Sequence, residues 1–238
     1  MEEYVQCAIQ RGLQTFGFSD HTPQWYPNDY YSKVRMYPHE LQEYCDAVRA
    51  LQKSYAGQLE IPLGLEAEYY PDLFSELLSR VSDAGVEYLL LGQHWCGNEQ
   101  NEIHNGRPTE DESHLNRYCK QCIEALETGR FSYFAHPDMF QYIGDPQVYR
   151  KHMRQLCLTA KETDTPLEIN LLGIRYQRHY PRNDFWALAA EEGCKVVIGI
   201  DAHKPEDIQD LAPEQQALEI VRTYGLELLP TVPLKKIH

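Results

Sequence analysis

Six short apolar segments alternate with amphipathic helical segments along this 238-residue chain. The segments typical of buried strands are residues 15–19, 61–66, 87–93, 131–135, 167–171 and 196–200. Because a helix between two strands favours a right-handed parallel crossover, the alternation predicts an α/β fold with one parallel sheet. A closed β/α barrel and an open doubly wound sheet both fit the pattern. The length predicts a single domain over residues 1–238.

The charge balance limits the partners of the chain. The formal net charge is −14, from 36 acidic and 22 basic residues, which disfavours binding to nucleic-acid phosphates or anionic membranes. No apolar run reaches the 18 residues of a membrane span, and the first residues do not resemble a signal peptide. We therefore expect neither a nucleic-acid nor a membrane partner, while a small anionic substrate remains compatible with the charge.

The cysteines are seven in number and scattered. The one close pair, Cys119 and Cys122, lies on a predicted helix without the second pair that a tetrathiolate metal finger needs. A metal finger is thus the less favoured alternative, and we predict reduced thiols in a cytoplasmic protein.

Metal-ligand residue types follow five of the six predicted strands. Asp201 and His203 follow the last strand two residues apart, on one side if the strand continues. The other candidates at strand ends are Asp20 with His21, Glu66, His94 and His136. The carboxyl ends of parallel strands share one face, where α/β proteins place their sites. The sequence thus predicts a site for divalent metal ions, although an Asp–His hydrogen bond closing the last strand is an alternative for Asp201 and His203.

Two loops stand near these strand ends. Residues 24–37 are rich in Trp and Tyr, which is compatible with the wall of a pocket or with a surface loop packed on itself. Residues 96–111 form a long polar loop rich in Gly and Asn, of a length that in compact domains is usually functional or mobile.

Six segments together resemble the successive motifs of one family. They are residues 17–21 (Gly-Phe-Ser-Asp-His), 64–66 (Gly-Leu-Glu), 92–94 (Gly-Gln-His), 135–138 (Ala-His-Pro-Asp), 168–170 (Glu-Ile-Asn) and 200–203 (Ile-Asp-Ala-His). In this order they are similar to the polymerase and histidinol phosphatase (PHP) family, and residues 168–175 followed by Tyr180 and Pro181 most resemble its histidinol-phosphate phosphatases. The resemblance implies a distorted seven-stranded β/α barrel with a trinuclear metal centre that hydrolyses phosphate esters.

The resemblance also implies a role for each matching residue. Glu66 would bridge two metals, and His94 with His136 would complete one of their sites. Asp201 would bind the first metal, while His21 and His203 would bind the third. The implied catalytic residues are Asp201, His203 and Arg175; the implied substrate contacts are Arg175 for the phosphate, with Ser19 and His179; and the implied supporting residues are Glu68, Asp138, Glu168 and Asn170.

One family motif has no counterpart in this chain. The resemblance implies a His-x-His on a first strand, whereas residues 1–12 have the apolar spacing of a helix. We therefore predict that the first strand is missing, that Met1 is an internal methionine of a longer reading frame, and that fewer metal ions bind than the family's two to three. The strands left unpaired would be exposed edges, through which a homo-oligomer could form.

The implied reaction is hydrolysis of L-histidinol phosphate to L-histidinol and phosphate in histidine biosynthesis, with zinc, iron or manganese as the metal. Two alternatives stay open. One is a related phosphoesterase acting on nucleotides or sugar phosphates, and the other is a degenerate, non-catalytic protein that binds metal or phosphate.

Overall fold

A computed structural model describes residues 1–100 and 103–237. Its strands form one sheet in which every pairing is parallel and the strand order equals the chain order. The strands are β1 (Phe18–His21), β2 (Leu63–Ala67), β3 (Tyr88–Leu91), β4 (Phe131–Phe134), β5 (Leu167–Asn170), β6 (Lys195–Gly199) and β7 (Glu227–Leu228). The predicted parallel α/β sheet is confirmed.

The helices fill the connections between these strands. They are α1 (Glu2–Gln10), α2 (Leu41–Ser54), α3 (Phe74–Asp83), α4 (Glu112–Glu127), α5 (Pro146–Glu162), α6 (Leu171–Arg175), α7 (Asn183–Glu192), α8 (Pro205–Gln209) and α9 (Ala212–Tyr224). A 3₁₀ turn at Pro38–Glu40 leads into α2. The five-residue helices α6 and α8 were not predicted, because they are too short to show an apolar period.

The sheet differs from the prediction at both of its ends. Thr15 makes only an isolated bridge to Glu60, and the regular ladder begins at the Phe18–Leu63 pair. Between them Pro62 has no N–H to donate, so the ladder is interrupted and β1 starts three residues later than predicted. The two-residue strand β7 is too short to be recognised from its sequence, and among the described residues β1 pairs only with β2 and β7 only with β6.

The two faces of the sheet have different surroundings. Leu63, Leu65 and Ala67 of β2 belong to the main core that the helices cover. A second, small apolar cluster comprises Tyr88, Leu90 and Ala135, with Tyr133 packed against it. Since side chains alternate along a strand, Glu66 lies on the face opposite to the helices, above this small cluster. None of the helices in the described ranges has the length and apolarity that crossing a membrane requires.

Substitutions in the helical layer will show how strongly the core holds this sheet. Leu188 of α7 is fully buried, whereas Leu211, just before α9, is 51% exposed. Leu188→Ala is expected to lower the free energy of unfolding by about 3 kcal/mol through the cavity that it leaves. Leu211→Ala is the matched control, with an expected change within about 0.5 kcal/mol. Urea unfolding followed by circular dichroism measures both, and equal losses would contradict this assignment of the core.

Candidate metal centre

The carboxylate of Glu66 lies among three imidazole rings. The Nε2 atoms of His136 and His94 are 3.1 and 3.6 Å from Glu66 Oε1, and Nε2 of His21 is 3.8 Å from Oε2. The ring centroid of His94 is 5.0 Å from that of His21 and 4.9 Å from that of His136. The structure therefore brings together four of the six residues predicted as metal ligands.

Parallel register explains why these four side chains meet. His21 and Glu66 are direct partners in the β1–β2 ladder. His94 and His136 come three and two residues after the ends of β3 and β4, the next strands in the sheet. Four adjacent carboxyl ends thus place one side chain each at the same edge of the sheet.

Gly92 provides the space that Glu66 occupies. A Cβ atom built on Gly92 would overlap Oε1 of Glu66, and one built on Gly199 would overlap Oε1 of Glu168. Gly92 follows the last residue of β3 and Gly199 is the last residue of β6. At both positions the backbone passes close to a carboxylate of the neighbouring strand. Their lack of a side chain is therefore part of the site.

Electrostatics keep Glu66 ionised. Burial alone would raise the pKa of its carboxyl group, but the neighbouring His21, His136 and His94 outweigh burial and hold that pKa well below its usual range. Burial would likewise lower the pKa of His136, yet its hydrogen bond to Glu66 and the nearby carboxylates raise the pKa to about 9. The site therefore has a negative potential that favours positive charge.

Glu68 connects the cluster to a buried arginine. Its Oε1 lies 3.4 Å from Nδ1 of His94 and accepts a hydrogen bond of 2.7 Å from Nη2 of Arg35. Arg35 also donates from Nε to Glu99 at 2.8 Å, and the side chains of Arg35 and Glu68 are each 1% exposed. Sequence reasoning proposed Glu68 but missed Arg35. The only indication of Arg35 in the sequence is that it is the one arginine among residues 24–37.

The aromatic loop matches both interpretations of residues 24–37. Tyr26 and Tyr30 pack edge to face with centroids 5.0 Å apart. The same loop, with Arg35, lines a cavity of about 190 Å³. Tyr30 also donates to Glu99 at 2.8 Å, so the loop is fixed to the ion cluster beneath it.

A second set of polar side chains supports His136 from the other side. Asn170 donates from Nδ2 to both Glu168 and Asp201 at 3.0 Å, and Glu168 accepts from the backbone N–H of His136 at 2.8 Å. Both His136 and Asp201 have positive φ angles, of 34° and 48°. Such backbone strain persists only where surrounding contacts enforce it, and it is typical of functional sites.

Asp201 and His203 lie just outside the four-residue cluster. Strand β6 ends at Gly199, and Asp201 has already left the extended conformation, so the two side chains are not placed by strand alternation as predicted. Nδ1 of His203 lies 3.4 Å from Asp201 Oδ1, and the His203 side chain is 59% exposed. The Asp–His contact considered for this strand end is therefore present, and the metal-binding role of both residues stays a prediction.

Arg175, predicted to bind phosphate, lies at the end of α6 between two carboxylates. Its Nε is 3.5 Å from Asp207 and 3.4 Å from Asp210, and its Nη2 donates to the carbonyl of Asp207 at 2.9 Å. Within residues 1–100 and 103–237, its buried Nη1 has no hydrogen-bond partner. Asp207 also accepts from the backbone N–H of His203, which places Arg175 on the side of the site where Asp201 and His203 lie.

The remaining predicted contacts have local partners of their own. Ser19 precedes His21 by two positions on β1, so both side chains are directed to one face, and Asp20 between them is exposed. His179 donates from Nε2 to the carbonyl of Met139 at 2.6 Å, and Asp138 accepts from the backbone N–H of Arg182. The substrate roles of Ser19 and His179 stay predictions.

His104 is a residue of this region that sequence reasoning missed. Its ring centroid is 5.9 Å from that of His94, and it belongs to the polar loop of residues 96–111, of which residues 101 and 102 lie outside the described ranges. The sequence could have pointed to His104, because this histidine lies in the long loop after β3, the strand that leads to His94.

The donor set fits a divalent metal ion. Atoms of His21, Glu66 and His94 that can act as ligands all lie within 4.8 Å of one another. Imidazole nitrogen together with carboxylate oxygen suits zinc, iron or manganese. The proximity of Glu68 to Nδ1 of His94 leaves Nε2 directed at the cluster, in the carboxylate–histidine arrangement that supports metal ligands.

Comparison with known proteins agrees with these observations. The family model described as "PHP domain" matches residues 1–172. The protein named "probable histidinol-phosphatase" of Deinococcus radiodurans is 31% identical over 87% of this chain and 81% of its own length. The protein of that name from Schizosaccharomyces pombe is 25% identical over 87% of this chain and 76% of its own. The resemblance deduced from the motifs is confirmed.

A solved structure confirms the fold. A crystal structure of histidinol phosphate phosphatase from Lactococcus lactis, complexed with zinc, L-histidinol and phosphate, aligns with 97% of this chain and 89% of its own. The TM-score is 0.73 and the identity 19%. The likeness establishes that the parallel sheet described above is a β/α fold of the predicted type.

Gly92→Ala is expected to displace the Glu66 carboxylate and to weaken Mn²⁺ or Zn²⁺ binding by at least about tenfold. Isothermal titration calorimetry on the metal-stripped protein measures the affinity. The control is Glu66→Asp, which shortens the side chain by one methylene and so makes room for the added methyl group. If the steric explanation holds, Gly92→Ala costs less affinity in the Glu66→Asp background than in the wild type. Equal costs in both backgrounds would contradict it.

Proposed function

This chain belongs to the PHP domain family, and from that premise we propose that it hydrolyses L-histidinol phosphate to L-histidinol and phosphate with the help of divalent metal ions. The observation that carries the proposal is the convergence of three imidazole Nε2 atoms on the buried carboxylate of Glu66. The names of the two relatives and the ligands in the Lactococcus lactis structure support the choice of substrate.

The proposal treats residues 1–238 as one domain, which acts in histidine biosynthesis. The free cysteines suit a reducing compartment, so we place the enzyme in the cytoplasm. The proposed metal is zinc, iron or manganese, with fewer ions than the family's two to three. The residues proposed to hold these ions are His21, Glu66, His94, His136, Asp201 and His203. When bound, such ions neutralise the charge of a phosphate group and make water nucleophilic at neutral pH.

The side chains of the site have separate tasks in this reaction. Glu68, held by Arg35, orients His94, and Glu168 with Asn170 holds His136 and Asp201 in place. These contacts keep the site preorganised, so that little reorganisation is needed when charge develops on the phosphoryl oxygens.

Arg175 is assigned to the phosphate group. Its planar guanidinium matches two oxygens of a phosphate, and its Nη1 has no hydrogen-bond partner among the described residues. Asp201 and His203 lie on the same side of the site, linked to Arg175 through Asp207, and one of them is assigned to protonate the leaving alkoxide. Ser19 and His179 are the further residues proposed to contact the substrate.

The decisive experiment compares substrates with the metal-loaded protein. We expect kcat/KM for L-histidinol phosphate to exceed the values for nucleotides and sugar phosphates, and Glu66→Gln to lower activity by roughly 100-fold or more. Glu219→Gln is the matched control, because this carboxylate is 76% exposed on α9, away from the site. A preference for nucleotides or sugar phosphates, or metal binding without any phosphatase activity, would refute the proposal.

Arg175→Met is expected to raise KM for L-histidinol phosphate by about tenfold or more, since it removes charge-assisted hydrogen bonds to the phosphate. Arg175→Lys keeps the charge but loses the fork geometry, so it should recover only part of the loss. Arg222, which is 67% exposed on α9, provides the control variant Arg222→Met. Steady-state kinetics measure all three, and an unchanged KM in Arg175→Met would show that Arg175 only pairs with Asp207 and Asp210.

A further inference from the structure

His104 lies next to the cluster of predicted ligands, with its ring beside that of His94. Its ring centroid is 5.9 Å from that of His94, which itself lies between His21 and His136, and 5.0 Å from that of Trp95. His104 is therefore within reach of a substrate whose phosphate lies at the Glu66 cluster.

Backbone contacts hold His104 in this position. The residue after it, Asn105, is fully buried, and its backbone N–H donates to the carbonyl of His94 at 2.8 Å. The Asn105 side chain donates to the carbonyl of Gln93 at 3.0 Å, and the backbone carbonyl of Asn105 accepts from the backbone N–H of Gln141 at 3.0 Å. Segments on both sides of the site thus fix the loop that carries His104.

A hydrogen bond also determines which nitrogen of His104 is protonated. The backbone N–H of Gly106 donates to Nδ1 at 3.0 Å. Because an N–H can only donate, Nδ1 acts as the acceptor and Nε2 of the neutral ring holds the proton. In the described part of the chain no group accepts from Nε2.

His179 provides a hydrogen-bond acceptor on the other side of Gly106 from the donor of His104. A Cβ atom on Gly106 would lie 3.0 Å from Cε1 of His104 and 3.8 Å from Cε1 of His179, so both rings border the same space. His179 donates from Nε2 to Met139, which leaves its Nδ1 as an acceptor. The two histidines together offer one donor and one acceptor.

We propose that His104 recognises the alcohol part of the substrate by donating its Nε2–H, with His179 as the complementary acceptor. The ligand class that matches is a phosphate ester of an alcohol that bears an imidazole ring, since a neutral imidazole has one N–H and one acceptor nitrogen. This inference rests on the proposed phosphatase function and makes His104 a determinant of its specificity.

Three substitutions separate this role from a structural one. His104→Asn keeps an acceptor near Nδ1 for the Gly106 N–H but has no donor at the Nε2 position. His104→Gln places an amide N–H near that position, and His104→Phe keeps only the ring against Trp95. His39, an exposed histidine that stacks on Tyr37, provides the control His39→Phe.

The measured quantity is kcat/KM for L-histidinol phosphate divided by kcat/KM for p-nitrophenyl phosphate, whose leaving group has no imidazole. We expect this ratio to fall about tenfold in His104→Asn and His104→Phe, and to recover at least half of that loss on a logarithmic scale in His104→Gln. An unchanged ratio in His104→Asn, or a loss in His104→Gln equal to that in His104→Phe, would overturn the proposal. Thermal unfolding is followed for every variant. If His104→Phe proves unstable, the result for His104→Asn decides the test.

Binding of L-histidinol, measured by calorimetry, tests the inference independently of catalysis. The affinity of the metal-loaded wild type should exceed that of His104→Asn by about tenfold and equal that of His39→Phe. Equal affinities for wild type and His104→Asn would overturn the role of His104. A wild type that binds L-histidinol but hydrolyses no phosphate ester would refute the proposed function and leave this recognition role supported.

Discussion

A buried carboxylate surrounded by imidazole rings is the interaction on which this site depends. An isolated buried charge is costly, and it persists only where opposite charge and hydrogen bonds compensate it. For Glu66 the compensation comes from His21, His94 and His136, which lie at or just after the ends of three different strands. The carboxylate therefore ties together the ends of four adjacent strands, and the arrangement that keeps it ionised is also one that suits a divalent cation.

The surrounding layers fix this arrangement from two directions. On one side the buried Arg35 holds Glu68, which faces His94, and through Glu99 it also holds the aromatic loop. On the other side Asn170 links Glu168 to Asp201. The helices pack on the far face of the sheet, so the strands form a rigid base from which only their polar ends reach the site. Such rigidity is what a site needs if it is to stabilise charge without reorganising.

Much of this could be predicted from the residues, and the exceptions have physical causes. Six of the seven strands and the four clustered candidate ligands were predicted, because apolar runs and the residues that end them are local features of a sequence. The bounds of β1 shifted because of Pro62, and Asp201 left the strand conformation earlier than the apolar run suggested. The two-residue strand β7 was missed because it is too short for any period to show.

The sequence by itself determined the strand–helix alternation, the residue types at the strand ends and the family, since each depends on neighbours along the chain. Only the tertiary structure decided which loop residues join the site. Arg35 and His104 come from long loops without a period, and their partners Glu68 and His94 are 33 and 10 positions away in the sequence. Contacts of that kind depend on how separate segments pack in space, which no local pattern of residues encodes.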